Sequence, residues 1–302
     1  MKEKRRYHLG LDWGTSATKL VLRDYEQKKA FVLMPAGMGH SYRYPSTIVW
    51  SDDRIYFGFK AEERRKKADK VIDGLKAELC EMIVNEGCAQ KVSEQEDLAT
   101  LFLAHTISLG LNSAEEHAKR DNAQALMGMT IGFPAEELEK SSLKDIYMRM
   151  AQCAYELAVR SGYDPQGKCY DQACEQVANA RSQIEARGGM VSSSSSYHQW
   201  LRPELAAAMY WGIKSPRIER DLYSCIDIGA WTTNTSYFRI GSNPGSIEKD
   251  RIIFFGGATR GPGVIKLLEN VAQDYGQDFT SMLGCEEDWL RRRTCVGHIE
   301  KI

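Results

Sequence analysis

The chain has 302 residues, of which 43% are hydrophobic and 27% charged, the balance of a folded globular protein rather than a disordered one. Its formal net charge of -1 provides no general positive field for nucleic acid or an anionic membrane, so neither is expected as a partner. Eight cysteines occur with no C-x-x-C pair among them, which argues against a zinc site or a thioredoxin-type motif. The first residues, Met1-Lys2-Glu3-Lys4-Arg5-Arg6, are charged and lead into alternation instead of an apolar signal core. No window approaches the ~18 apolar residues of a membrane span, and a reducing, cytoplasmic setting is the expectation.

Residues 7 to 24 predict a strand, a tight turn and a returning strand, with Asp12-Trp13-Gly14-Thr15-Ser16 at the turn. Strand-like pieces follow at Phe31–Met34, Ser46–Trp50 and Ile55–Phe59. Val71, Leu75, Leu79 and Ile83 recur every four residues, and the spacing predicts a helix from Ala61 to about Asn85. A second helix is expected over Leu98–Leu111, a buried strand over Met127–Phe133 stopped by Pro134, and a long helix over Glu136–Val159. Tyr170–Arg187 reads as a helix closed by Gly188-Gly189. The serine run at 192–196 reads as a loop, and a further helix opens at Glu204. A second strand-turn-strand spans Leu222–Ile240, followed by a strand ending at Gly256-Gly257 and a helix from about Gly263.

The two strand-turn-strand units share a pattern. Leu11-Asp12-x-Gly14-Thr15-Ser16 is matched by Ile226-Asp227-x-Gly229-x-x-Thr232-Thr233, a weak internal repeat that suggests two similar lobes. Asp-x-Gly alone is ordinary turn chemistry. Two such turns, each with hydroxyl residues and apolar strands around it, point instead to a pair of phosphate cradles. Glycine lets a ligand approach the backbone, and the N–H and hydroxyl groups after it offer an anion-binding concavity. Asp12 cannot bind phosphate directly, but its carboxylate can hold the water shell of a Mg2+ ion that does. Neither a Walker loop nor a G-x-G-x-x-G turn occurs after a strand.

Leu9-Gly10-Leu11-Asp12-Trp13-Gly14-Thr15-Ser16-Ala17-Thr18-Lys19 resembles the first phosphate motif of the actin, sugar-kinase and seventy-kilodalton heat-shock chaperone superfamily. Leu222–Ser236 is similar to its second phosphate motif, and Arg202-Pro203-Glu204-Leu205-Ala206-Ala207-Ala208 to its connecting helix. Tyr44-Pro45-Ser46-Thr47-Ile48-Val49-Trp50 and Thr130-Ile131-Gly132-Phe133-Pro134-Ala135 lean toward the chaperone branch. The resemblance implies a ribonuclease H-like, two-lobed α/β fold with mixed five-stranded sheets flanked by helices. Lobe I would cover 1–203 with an insertion near 165–200, and lobe II, 204–302, would be partial.

The resemblance also implies roles. Asp12 and Asp227 would order hydrated Mg2+, while Gly14, Thr15, Ser16, Gly229, Thr232 and Thr233 would line the phosphates of ATP or ADP. Lys76 would contact the γ-phosphate, with an ordinary exposed helix lysine as the alternative. Glu204 would orient the attacking water, with Asp227 also counted among the catalytic groups. Gly256-Gly257 reads either as part of the adenosine motif or, preferably, as the turn after the second phosphate motif. Ala230, Trp231 and Asn234 depart from the family pattern, and Pro203-Glu204 reverses its usual order. Such changes affect the placement of an attacking water more than ground-state binding. The expectation is therefore a chaperone-like nucleotide-binding protein with slow or degenerate ATP hydrolysis coupled to lobe closure and a possible protein partner or client. A sugar-kinase-type phosphotransferase and a non-catalytic actin-like assembly module remain as alternatives.

Overall fold

The computed structural model describes residues 3–34, 42–84, 89–133, 141–187, 201–203, 222–228, 233–239 and 250–255. The chain divides into two compact units, Met1–Glu204 and Leu205–Ile302. Strands and helices of the first unit, and three strands of the second, fall within the described residues. Among the described residues, no helix is long and apolar enough to cross a membrane.

The first unit is built on a mixed sheet. Strand β1 (Lys4–Trp13) alternates strictly, with Tyr7, Leu9, Leu11 and Trp13 buried and His8, Gly10 and Asp12 on the opposite face. It pairs antiparallel with β2 (Ala17–Asp24), which pairs antiparallel with the short edge strand β3 (Lys29–Val32). The two-residue strand β4 (Tyr44–Pro45) also pairs with β2. On its other side β1 runs parallel to β8 (Gln124–Phe133), and β8 parallel to β9 (Leu201–Pro203). The order is β3-β2-β1-β8-β9, with β4 attached to β2, so among the described residues the sheet has six strands where five were expected.

A smaller antiparallel sheet, β6-β5-β7, combines β5 (Thr47–Ser51), β6 (Arg54–Phe57) and β7 (Lys70–Asp73). Asp52 and Asp53, with φ of 52° and 59°, form the two-residue turn between β5 and β6. Positive φ at both central residues matches the right-handed strand twist. Here the structure corrects the expected single helix from Ala61 to Asn85. The chain instead forms helix α1 (Gly58–Arg64), a 3-10 turn (Arg65–Lys67), β7, and helix α2 (Leu75–Val84). Val71 belongs to the strand, opposite Val49, and only Leu75, Leu79 and Ile83 lie on α2. The β-branched Val71-Ile72 pair suits a pleated edge, and the left-handed Gly74 (φ 76°) separates strand from helix.

Helix α3 (Ala89–Arg120) is far longer than Leu98–Leu111; α4 (Ser141–Tyr155) continues into a π-helical turn, Glu156–Arg160, near the expected end at Val159, while the expected start at Glu136 lies outside the described residues. Helix α5 (Tyr170–Ala186) follows the expected span closely. The helices cover the buried face of the sheet. Trp13 stacks near Phe102 and Tyr147, at 6.4 and 5.8 Å between ring centroids, and Leu9, Leu11, Leu20, Met129 and Ile131 complete the layer. Full burial of a side chain of this size contributes about 1.5–3 kcal/mol. Ala173, Val177 and Ala180 of α5 join the same core, so this helix of the segment expected as an insertion is integrated into the packing. Glu96 of α3 receives two hydrogen bonds from Arg149 of α4 at 2.8 and 2.9 Å, and Asp97 receives one from Arg181 of α5 at 2.7 Å.

In the second unit, β10 (Leu222–Ile228) pairs antiparallel with β11 (Thr233–Arg239) and parallel with β12 (Asp250–Phe255), in the order β11-β10-β12. This repeats the centre of the first sheet, β2-β1-β8, in the same strand directions.

Candidate functional site

The turn between β1 and β2 is held on three sides. From the core, buried Trp13 fixes the end of β1. Within the turn, the Gly14 N–H donates to the Asp12 carbonyl at 3.1 Å. From the side, the Ser46 hydroxyl donates to the Gly14 carbonyl at 2.7 Å, and its N–H donates to the Ser16 carbonyl at 3.2 Å. With its own proton committed to Gly14, the Ser46 oxygen accepts from the buried Thr18 hydroxyl at 3.0 Å. Gly14 is required sterically, since a Cβ there would lie 2.5 Å from the Ala17 carbonyl oxygen. The result is a rigid loop whose Thr15 and Ser16 hydroxyls have no hydrogen bond to another described residue.

Asp12 lies on the open face of the sheet, opposite Lys19 of β2, and the two form an ion pair at 2.5 Å. Both side chains stay accessible, at 44% and 42%, so a ligand can reach either. Lys19 is the residue that sequence reasoning missed, although the motif as quoted ends on it. The available signal was its position: in a hairpin closing through Gly14, the residue seven after Asp12 is its direct cross-strand neighbour.

Thr47, next in sequence to Ser46, ties the base of α2 to the same strand. Its hydroxyl lies 2.8 Å from Glu62 and 3.1 Å from Asp73, the β7 residue paired with it. Arg65 binds both carboxylates and, ahead of the opposing effect of burial, lowers the Asp73 pKa. Lys76 sits in the first turn of α2 and is only 6% exposed, which rules out the exposed-lysine alternative. A buried lysine needs partners for its charge, which gives this position a specific structural setting.

A second polar chain crosses the unit away from the turn. The Tyr44 hydroxyl donates to the Phe57 carbonyl at 3.1 Å and shares a 2.7 Å hydrogen bond with His105 Nε2. His105 Nδ1 pairs with Asp164 at 2.9 Å. Burial alone would raise the Asp164 pKa, but the His105 hydrogen bond and charge outweigh it and the net shift is downward. From the sequence, Tyr44 entered only as part of the chaperone-like segment Tyr44–Trp50, and neither His105 nor Asp164 was singled out.

In the second unit the backbone register repeats that of the first hairpin. Asp12 pairs with Lys19 and Trp13 with Thr18; Asp227 pairs with Asn234 and Ile228 with Thr233. Each aspartate is the second-last residue of its strand, and its partner lies seven residues on. Thr233 thus occupies the register of Thr18, which in the first hairpin is buried, and Asn234 occupies that of Lys19. Phe255, the last residue of β12, lies beside Asp227, which puts Gly256-Gly257 directly after that strand. Glu204, Gly229, Thr232, Gly256 and Gly257 lie outside the described residues, as do Ala230 and Trp231.

The donor set limits how a metal is held. Among the described residues no group of three or more His, Cys, Asp or Glu side chains converges on a metal site. Mg2+ binds readily through one or two carboxylates, with waters and phosphate oxygens completing its octahedron, so a lone Asp12 fits that mode and not a protein-only cage. Compared with known proteins, the chain matches no family model and no curated protein.

Proposed function

We propose that the chain is an actin-superfamily nucleotide-binding protein of ribonuclease H-like fold, nearest the heat-shock chaperone ATPases, in which both Asp-x-Gly hairpins serve one Mg-ATP or Mg-ADP. The observation that carries this reading is the shared register of the two hairpins, Asp12 opposite Lys19 and Asp227 opposite Asn234. Further support comes from the order β3-β2-β1-β8-β9, in which β1 is antiparallel to β2 and parallel to β8.

The two hairpins differ in the residue opposite the aspartate, Lys19 in the first and Asn234 in the second. Asp12 already has Lys19 as counter-ion, so the first hairpin is a nearly neutral phosphate cradle, its N–H and hydroxyl groups donating to oxygen. Asp227 is opposite the neutral Asn234 in the register, and Asp12 and Asp227 together would order the hydrated cation. When bound, Mg2+ neutralises phosphate charge. The roles of Gly229 and Thr232 on the second cradle, of Lys76 at the γ-phosphate, of Glu204 at the water, and of Gly256-Gly257 as the following turn complete the proposal. Trp231 in place of a small residue disfavours close phosphate approach, so binding with slow turnover is expected.

Thermal unfolding with Mg-ATP and Mg-ADP, alongside phosphate release, tests this. A ligand that binds only the folded state adds about 2.7 kcal/mol of stability at a hundredfold excess over its Kd. A clear rise in melting temperature with little phosphate release is the expected outcome. No rise with either nucleotide at millimolar concentration would end the proposal.

A further inference from the structure

Resting on the reading that the first hairpin takes a nucleotide, we infer that Arg202 is a phosphate-contacting residue of the same site, a role the resemblance does not assign to it. The placement follows from strand register. Leu11 of β1 is beside Ile131 of β8, and Ile131 is beside Leu201 of β9. All three are buried on the core face. The next residue of each strand therefore faces the opposite way, and these are Asp12, Gly132 and Arg202. Lys19 extends the row beyond Asp12. The order across the sheet is Lys19, Asp12, Gly132, Arg202.

Two properties of that row favour an anion. First, it carries two cations and one carboxylate, and Lys19 is already paired with Asp12, so one positive charge is left over. Arg202 supplies it: the side chain is exposed and makes no ion pair to another described residue. Second, Gly132 contributes no side chain between Asp12 and Arg202 in that row. Those two residues are two strand spacings apart, about 10 Å, a span suited to a di- or triphosphate rather than to a direct salt bridge. Strands β1, β8 and β9 are parallel, so Arg202 stands at the same carboxyl-terminal sheet edge as the Gly14 turn, where ligands of open α/β sheets bind. The planar guanidinium offers paired donors that match phosphate oxygens.

The consequence is anion binding that does not wholly depend on the metal. With Mg2+ present, part of the phosphate charge is neutralised by the cation; without it, Arg202 carries a larger share. Calorimetric titration of the full chain with ATP and with inorganic pyrophosphate, each in Mg2+ and in EDTA, provides the test. Arg202→Ala should weaken pyrophosphate and metal-free ATP about tenfold or more, the scale of one lost charge-assisted hydrogen bond. The loss with Mg-ATP should be smaller, and Arg202→Lys should recover part of the metal-free affinity. Wild-type protein that binds Mg-ATP, with Arg202→Ala matching it within twofold under every condition, would overturn this role and leave the nucleotide reading intact. Wild-type protein that binds no nucleotide would overturn both.

Discussion

Replacing Gly14 by alanine tests whether the first hairpin is as tightly held as its contacts indicate. The new Cβ would sit 2.5 Å from the Ala17 carbonyl oxygen and 3.6 Å from its carbon, both backbone atoms that cannot rotate away. Relief requires the turn to shift, yet the turn is pinned by the Ser46 hydroxyl on the Gly14 carbonyl and by buried Trp13. Overpacking of this kind costs about 1–3 kcal/mol, and losing the Ser46 hydrogen bond about 1 kcal/mol more. Alanine also restricts the unfolded chain, which offsets about 0.4–1 kcal/mol. A net loss of roughly 1–3 kcal/mol follows, which in a body of this size lowers the melting temperature by about 2–4 °C per kcal/mol. Gly10→Ala is the internal control, because its Cβ would meet only the Val21 carbonyl oxygen, at an ordinary 3.7 Å. Circular-dichroism melts of both variants should separate them clearly. Equal stability of Gly14→Ala, Gly10→Ala and the parent protein would refute the reasoning.

Tyr44→Phe should cost about 1–3 kcal/mol in urea unfolding, since it removes the hydroxyl shared by the Phe57 carbonyl and His105 within a buried site. A loss under ~0.5 kcal/mol, within the range of ordinary surface substitutions, would count against that network. Acidification should destabilise the first unit through Asp24. Burial pushes its pKa up, but the Gln27 N–H and the Arg5 guanidinium outweigh it, so the folded value lies below the ordinary one. Its contribution is therefore complete above the unfolded pKa, about 3.9, and is lost as pH falls through the lower folded value. Urea midpoints from pH 7 to pH 3 should fall less steeply in Asp24→Asn than in the parent, and parallel slopes would contradict the assignment. Trp231→Gly should raise steady-state phosphate release, and an unchanged rate in a normally folded variant would remove the steric explanation for slow turnover.

The parts of the fold that the sequence disclosed are those in which local pattern and tertiary packing agree. Alternation in Tyr7–Trp13, with Gly14 after it, identified β1 and its turn, and the same pattern located β10 and β11. The failure at residues 61–85 has a physical origin: a four-residue spacing continued by chance across a strand–helix boundary, and periodicity cannot distinguish the two when the strand is only four residues long. Gly74 was the available warning. Helix α3 outran its expected ends because its outer turns are highly charged and show little apolar stripe. Lys19 and Arg202 escaped notice because their relation to Asp12 is a matter of strand register, and the β8–β9 pairing joins residues 70 apart in the chain, Gly132 and Arg202. Tyr44, His105 and Asp164 are likewise far apart in sequence and meet only through tertiary packing.

The claim that two look-alike loops act on a single triphosphate is tested most directly by the binding stoichiometry of Mg-ATP, measured calorimetrically on the parent chain and on Asp12→Asn and Asp227→Asn. One nucleotide per chain, with affinity weakened at least tenfold by either substitution, is the predicted result. Two nucleotides per chain, none, or a loss confined to one of the two variants would contradict it.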